Sequence, residues 1–239
     1  MTRLLVLSDI HGNWPALQAV AAQTDLSRID QIINCGDTTV YAPFANQALT
    51  WLADCRALSV LGNTDSKVRR LLRGRSFRKP GSAEKRIMYV HAAATLSGQN
   101  RQRLEVLRKT GRMQAEGRRI IVCHGSPARQ DEFLYPGTPK KRYRELARMA
   151  KAEIILTGHT HEPQHKIVGG AHFLNPGSVG RMFDGNPAAS YLILELGRKK
   201  IRAEFRRCAY DAELVAQELA QAGLPEIYAA MFRQGRKLN

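Results

Sequence analysis

Residues 3–12 read Arg-Leu-Leu-Val-Leu-Ser-Asp-Ile-His-Gly, a short apolar run that stops abruptly in a polar cluster closed by glycine. The event recurs along the chain. Gln31–Cys35 runs into Gly36-Asp37, Ala57–Leu61 into Gly62-Asn63-Thr64-Asp65, and Ile120–Cys123 into His124-Gly125-Ser126. Ile154–Thr157 runs into Gly158-His159-Thr160-His161, and His172–Leu174 into Asn175-Pro176-Gly177-Ser178. Short runs of Ile, Leu and Val, apolar on both faces, read as buried strands. Helical patterns lie between them at Pro15–Gln23, Pro43–Ala53, Asp65–Leu72, Gln99–Arg108 and Lys140–Lys151. Strands alternating with helices predict an α/β sheet with crossover connections. Ligands bind beyond the carboxyl ends of such strands, so the polar clusters are expected to converge there.

The second half changes character. Gln164–Ile167, Ala171–Leu174, Ser190–Leu196 and Ile201–Arg207 read as strands joined by Gly169-Gly170 and Gly197-Arg198, which predicts antiparallel pairs in a second sheet packed on the first. Asp211–Ala222 reads as an amphipathic helix stopped by Gly223 and Pro225. No linker divides the chain, so residues 1–239 are expected to form one domain, with 211–239 a helical tail laid against it.

The 239 residues carry 37 Lys+Arg against 21 Asp+Glu, a formal net charge of +16, with 44% hydrophobic residues. That apolar content excludes disorder. No run reaches the roughly 18–20 apolar residues of a membrane span. The N-terminus lacks a signal-peptide core, and Cys35, Cys55, Cys123 and Cys208 are scattered without a CxxC pair. A reducing cytoplasm is therefore the expected compartment. The positive excess predicts anionic partners, whether nucleic acid, nucleotide, phosphate or lipid.

At the strand ends sit Asp9, His11, Asp37, Asn63, His124, His159 and His161, including four of the chain's seven histidines. Asp-x-His and His-x-His put two side chains on one side of an extended segment. Imidazole with carboxylate suits Mn, Fe, Zn, Ni or Co better than Ca or Mg. Seven ligands exceed one tetrahedral site and match two ions sharing a carboxylate. Asp37, alone on its strand, is the natural bridge.

The ordered blocks Asp9-Ile10-His11, Gly36-Asp37, Gly62-Asn63-Thr64-Asp65, His124-Gly125 and Gly158-His159-Thr160-His161 resemble the calcineurin-like metallophosphoesterase superfamily, over residues 3–196. The blocks Asp9–Asn13, His124–Pro127, Phe133–Pro139 and Asn175–Tyr191 resemble its small single-domain bacterial and archaeal branch of phosphodiesterases and diadenosine-polyphosphate hydrolases; Tyr210–Arg236 is similar to a tail common there. The resemblance implies a four-layer α/β/β/α sandwich with two mixed sheets. It gives Asp9, His11 and His161 to a first metal, Asn63, His124 and His159 to a second, and Asp37 to both. Manganese is the first candidate. It also implies in-line attack on phosphorus by a metal-bridging hydroxide, with Asp37, Asn63 and His11 as the catalytic set. Many family members read Gly-Asn-His where this chain has Gly62-Asn63-Thr64. A hydroxyl cannot act as a general acid near neutral pH. Thr64 can still donate a hydrogen bond, which favours substrates with good leaving groups.

Further groups are candidates at the substrate. Arg129 and Arg181 lie beyond motif strands where they can meet phosphate oxygens, and Phe133 and Tyr135 either stack on a base or aryl group or pack into the body. Asp65 either orients His11 or caps the following helix. His91 reads as a strand-end residue near the substrate, His165 and His172 as structural, and Cys35 and Cys123 as small buried strand residues. Basic residues gather in Lys67–Arg86, Lys140–Lys151 and Arg198–Arg207. They form either solvated surface or a collar that attracts polyphosphate or nucleic acid. A small-nucleotide phosphoesterase is the leading expectation. A nuclease is the second, and a non-catalytic scaffold with this fold, as in the retromer subunit, the third. The Asp-x-His start argues against an amidohydrolase, and oligomeric state is left open.

Overall fold

A computed structural model describes all 239 residues. Two five-stranded sheets form the centre. The first has the order β10-β9-β1-β2-β3 and the second β4-β5-β6-β8-β7. In the first, β1 (Thr2–Leu7), β2 (Gln31–Asn34) and the short β3 (Leu58–Ser59) run parallel. In the second, β5 (Arg118–Cys123), β6 (Ile154–Leu156) and β8 (Ala171–Pro176) do the same. The antiparallel hairpins expected in one second sheet are divided between the two. β7 (Pro163–Val168) pairs with β8, whereas β9 (Ala189–Leu196) and β10 (Ile201–Cys208) extend the first sheet alongside β1. Turn residues predict the hairpins but carry no information about which open edge each one joins.

Alternation along the strands builds the layers. Leu4 and Val6 of β1, with Ile120 and Val122 of β5, point between the sheets and join Leu156, Leu174, Leu192 and Leu194 in a buried core. Leu5 and Leu7 point the other way, onto α1 (Trp14–Gln23) and α2 (Ala45–Asp54) through Leu17, Val20, Ala48 and Leu52. Ile121, Cys123, Ile155 and Phe173 meet Tyr143 and Leu146 of α6 (Lys140–Ala150) on the far side. The result is the α/β/β/α sandwich with two mixed sheets. Cys35 and Cys123 are buried strand-end residues in this packing.

A fourth core covers one end of the sandwich. It joins α3 (Asn63–Leu72), α4 (Ala83–Thr95) and α5 (Gly98–Val106) to α7 (Ala212–Gln221) and α8 (Glu226–Gln234) through Val68, Tyr89, Leu104, Val215, Leu219, Tyr228 and Phe232. The sequence reading missed α4 and misplaced His91, which lies within that helix rather than at a strand end. Arg86–Val90 looks like an apolar run, but Ser82 accepts from the Lys85 N–H at 3.4 Å as N-cap, and Ala92–Ala94 sustain the helix. Helix α3 starts at Asn63, two residues before expected, and β4 (Thr110–Ala115) is an edge strand the apolar pattern did not announce. No helix is long and apolar enough to cross a membrane.

Candidate metal centre

The carboxyl ends of the parallel strands in both sheets meet at one edge, and the polar clusters meet with them. Two candidate ligand groups form, Asp9 with His11 and His161, and Asp37 with His124 and His159; within each, the donor atoms lie within 4.8 Å of one another. The first sheet supplies Asp9, His11, Asp37 and Asn63, and the second supplies His124, His159 and His161, so the site exists only because the sheets pack.

The expected reason for the convergence of Asp-x-His and His-x-His is corrected by the backbone. These residues lie past the strand ends, with φ of +52° at Asp9 and His11, +54° at Asp37, +70° at His159 and +61° at His161. Left-handed turns, unusual for residues with a Cβ, aim the side chains. Backbone bonds lace the loops together: Asp9 N–H to Gly36 O and His11 N–H to Asp37 O, both 2.9 Å, and Gly158 N–H to His124 O at 2.8 Å. A Cβ on Gly158 would collide with Ser8 Oγ and Asp9 Oδ2, and one on Gly62 with Asp37, so both positions require glycine.

Most of these residues are held through the atom they do not present; His159, whose Nε2 is buried without a partner, is the exception. Asp9 Oδ2 accepts from Ser8 Oγ at 2.6 Å and from the His159 N–H at 2.9 Å, while its Oδ1 is buried without a hydrogen-bond partner. His124 Nδ1 donates to Cys35 O at 2.9 Å, His161 Nδ1 to Arg181 O, and His11 Nδ1 faces Thr39 O at 3.4 Å. Those carbonyls select the tautomer that leaves Nε2 as a lone pair. The lone pairs crowd together: His11 Nε2 is 3.2 Å from His161 Nε2, and His124 Nε2 is 3.2 Å from His159 Nδ1. Asp9 Oδ1 is 3.2 Å from His161 Nε2 and 3.8 Å from His11 Nε2; Asp37 Oδ2 is 3.3 Å from His124 Nε2. The Asn63 oxygen faces His124 Nε2 at 2.9 Å. An amide nitrogen there could donate to both His124 and His159, but an oxygen among imidazole lone pairs is the arrangement a cation satisfies. This mixed nitrogen and oxygen donor set fits divalent transition metals.

The electrostatics fit as well. Burial works against the charge on Asp9 and Asp37, yet the neighbouring histidines hold both carboxyls well below the usual range. Burial, with His161 beside it, lowers His11 to about 3; burial, with His124, lowers His159 to about 4. His124 differs: burial opposes its protonation, but Asp37 and Asp9 raise it to about 9, so an ion at Nε2 would take the place of a proton.

Asp65 caps rather than touching His11. Its carboxylate accepts from the Gly62, Thr38 and Thr39 N–H groups at 2.9–3.1 Å and from Thr39 Oγ1 at 2.7 Å. It reaches His11 only through the Thr39 carbonyl. A pocket of about 210 Å³ opens onto the ligands, lined by His11, Asp37, Asn63, Thr64, His159 and His161 together with Arg181. The Thr64 N–H donates to Asp37 Oδ1 at 2.8 Å, and its hydroxyl is buried without a partner. Arg129 and Tyr135 do not line this pocket. Arg129 pairs with Asp131 at 3.1 Å, both well exposed, and Tyr135 stacks outside on Phe133 with ring centroids 5.6 Å apart.

Sequence reasoning missed several contributors. Phe183 stacks on His161 at 4.4 Å and fixes that ring; Phe133, expected at the substrate, instead packs its ring on His159 at 4.0 Å. Asn175 Nδ2 donates to Gly158 O at 2.7 Å and Thr160 Oγ1 at 2.9 Å; Ser178 Oγ donates to Asp9 O at 2.7 Å. The Asn-Pro-Gly-Ser cluster at a strand end was the available signal for these two. Phe183, Tyr41, Tyr89 and Lys237, which line the same pocket, carried none, and Lys85 only its place in the basic segment Lys67–Arg86.

Comparison with known proteins agrees with this geometry. An uncharacterized protein of Methanocaldococcus jannaschii is 27% identical over 240 residues, covering 93% of this chain and 94% of that one. The crystal structure of a metallophosphoesterase from Sphaerobacter thermophilus aligns with a TM-score of 0.80 and 26% identity, covering 98% and 99% of the two chains. A hypothetical protein from Pyrococcus horikoshii shares the fold with a TM-score of 0.85 at 19% identity, covering 99% and 100%. The family model for the calcineurin-like phosphoesterase superfamily domain matches residues 2–199, and the chain belongs to that superfamily.

Proposed function

We propose that the chain hydrolyses phosphodiester or phosphoanhydride bonds of small nucleotides. The observation that carries this reading is the pair of adjacent candidate ligand groups with their donor atoms turned inward and the outward nitrogens of His124 and His161 held by backbone carbonyls. Asp9, His11 and His161 would hold one ion and Asn63, His124 and His159 the other, with Asp37 shared; manganese is the first candidate. When bound, two such ions polarise phosphoryl oxygens and lower the pKa of a water toward 7. The chain's part is orientation: glycines allow close approach, the carbonyls of Cys35, Thr39 and Arg181 fix ring tautomers, and Phe133 and Phe183 limit ring rotation. Thr64, with its unpartnered hydroxyl, is a substrate hydrogen-bond donor. Residues 1–239 act as one unit, since the tail helices share a core with the loops beside the site.

Mn²⁺-dependent release from bis-p-nitrophenyl phosphate and from diadenosine tetraphosphate tests the proposal. No turnover with any divalent metal, or full activity in Asp37→Ala, would sink it. A groove of about 540 Å³ beside Asn63, carrying Lys67, Lys109 and Arg129, favours a second reading, cleavage of a polynucleotide. A gel assay without metal-dependent degradation of DNA or RNA removes that reading. A complete donor set gives a pure scaffold no support.

A further inference from the structure

Behind the ligand cluster the pocket has a second chemical character, carried by cations. Arg181 is only 7% exposed, and its neighbours are aromatic rather than acidic. Its guanidinium carbon lies 3.9 Å from the Tyr41 ring centroid, 5.1 Å from Phe183 and 5.6 Å from Tyr228. Nη2 donates to Met231 Sδ at 2.8 Å, and Nε is buried without a partner. A buried guanidinium without a counter-charge is costly. Stacking on rings offsets part of that cost and leaves Nη1, the guanidinium nitrogen that is neither hydrogen-bonded nor sealed by burial, to meet an oxyanion. The wall beneath it is strained: Val40 and Tyr41 hold φ of +68° and +85°, a region that β-branched and bulky residues rarely adopt. Lys85 and Lys237 line the same cavity as His11, Asp37 and Thr64.

The charges exceed what one diester needs. Two divalent ions against Asp9 and Asp37 already leave positive charge for a single phosphoryl group, and Arg181, Lys85 and Lys237 add three more cations. Thr64 points the same way, because a departing phosphate, with a second pKa near 6, needs no general acid.

We propose that Arg181, with Lys85 and Lys237, forms a second phosphate-binding site, so that the preferred substrate carries two phosphoryl groups joined by an anhydride oxygen. One phosphoryl sits on the metal ligands and the other on the guanidinium. In hydrolysis the water oxygen bonds to the first phosphorus and the P–O bond to the bridging oxygen breaks. The bridging oxygen and its electron pair leave with the second phosphate, and the proton released goes to bulk water. The assignment rests on the phosphoesterase reading of the same cluster.

Calorimetric titration of the metal-loaded protein, in excess free metal, with imidodiphosphate and with inorganic phosphate tests it without turnover. The wild-type chain prefers the diphosphate, and Arg181→Gln reduces that preference by about ten- to a hundredfold, the range for hydrogen bonds to a charged group. Should circular dichroism show Arg181→Gln unfolded, the double variant Lys85→Ala/Lys237→Ala decides, with an expected loss of about tenfold. An undiminished preference in the folded variant overturns the proposal. A binding preference without hydrolysis of any ester would break the phosphoesterase reading and leave this site standing.

Discussion

At the ligand cluster nearly every polar atom turned away from the centre is held by a fixed partner, and the loops that carry the ligands are laced to one another. On the wall a few side chains away, Arg181, Lys85 and Lys237 form no ion pair, Lys85 having only Glu84 near it, over a backbone left strained at Val40 and Tyr41. The first region is fixed by hydrogen bonds; the second is fixed by aromatic stacking around a cation. Electrostatic preorganisation of this kind puts the cost of ordering into the fold rather than into the reaction. On the proposals above, catalytic power belongs to the cluster and substrate choice to the wall.

Substitutions at the cluster should break that division most severely. His124→Ala removes a buried ligand from beside Asp37 and Asp9 and should lower metal-dependent hydrolysis by about 10³-fold or more, the several kcal/mol a metal supplies to transition-state charge; steady-state kinetics on bis-p-nitrophenyl phosphate reads it. Gly158→Ala drives a Cβ into Ser8 and Asp9. It should destabilise the fold by about 1–3 kcal/mol, seen as a lower melting temperature, and disturb the site as well. Asn175→Ala frees the Gly158–Thr160 turn without touching a ligand, and should cost about 10–100-fold in metal affinity or activity, measured by metal titration. Arg144→Gln, on the exposed face of α6 where no ion pair or hydrogen bond involves it, should change hydrolysis by less than about twofold in moderate salt, where distant charges are screened. A large loss there would extend the wall's role to the whole basic surface.

The same contrast explains what the sequence made legible. Ligands announce themselves because Asp, Asn and His at the ends of apolar runs have few other reasons to recur, and the order of the blocks names a family. Period-two alternation accounts for the core layers, where Leu4 and Val6 face one way and Leu5 and Leu7 the other. It does not account for the site, where left-handed residues past the strand ends aim the ligands. Sheet membership of β7–β10 depends on which edge stays open, a long-range fact absent from local pattern. The wall is silent for another reason. Lys85 and Lys237 stand far apart in sequence among many cations, several engaged elsewhere: Arg73 pairs with Glu105, Arg142 with Glu132, and Arg70 donates to Ser76 O. Only folding sorts the unpaired cations from the paired ones.

The most direct test of the central claim, two metal ions acting through one shared carboxylate, is metal content measured beside hydrolysis in wild-type and Asp37→Ala protein. Two ions per wild-type chain are expected, with release of p-nitrophenol that is abolished by chelation and restored by Mn²⁺. Asp37→Ala should retain fewer ions and lose nearly all turnover. Undiminished hydrolysis after chelation, or a full rate in Asp37→Ala, would contradict the account.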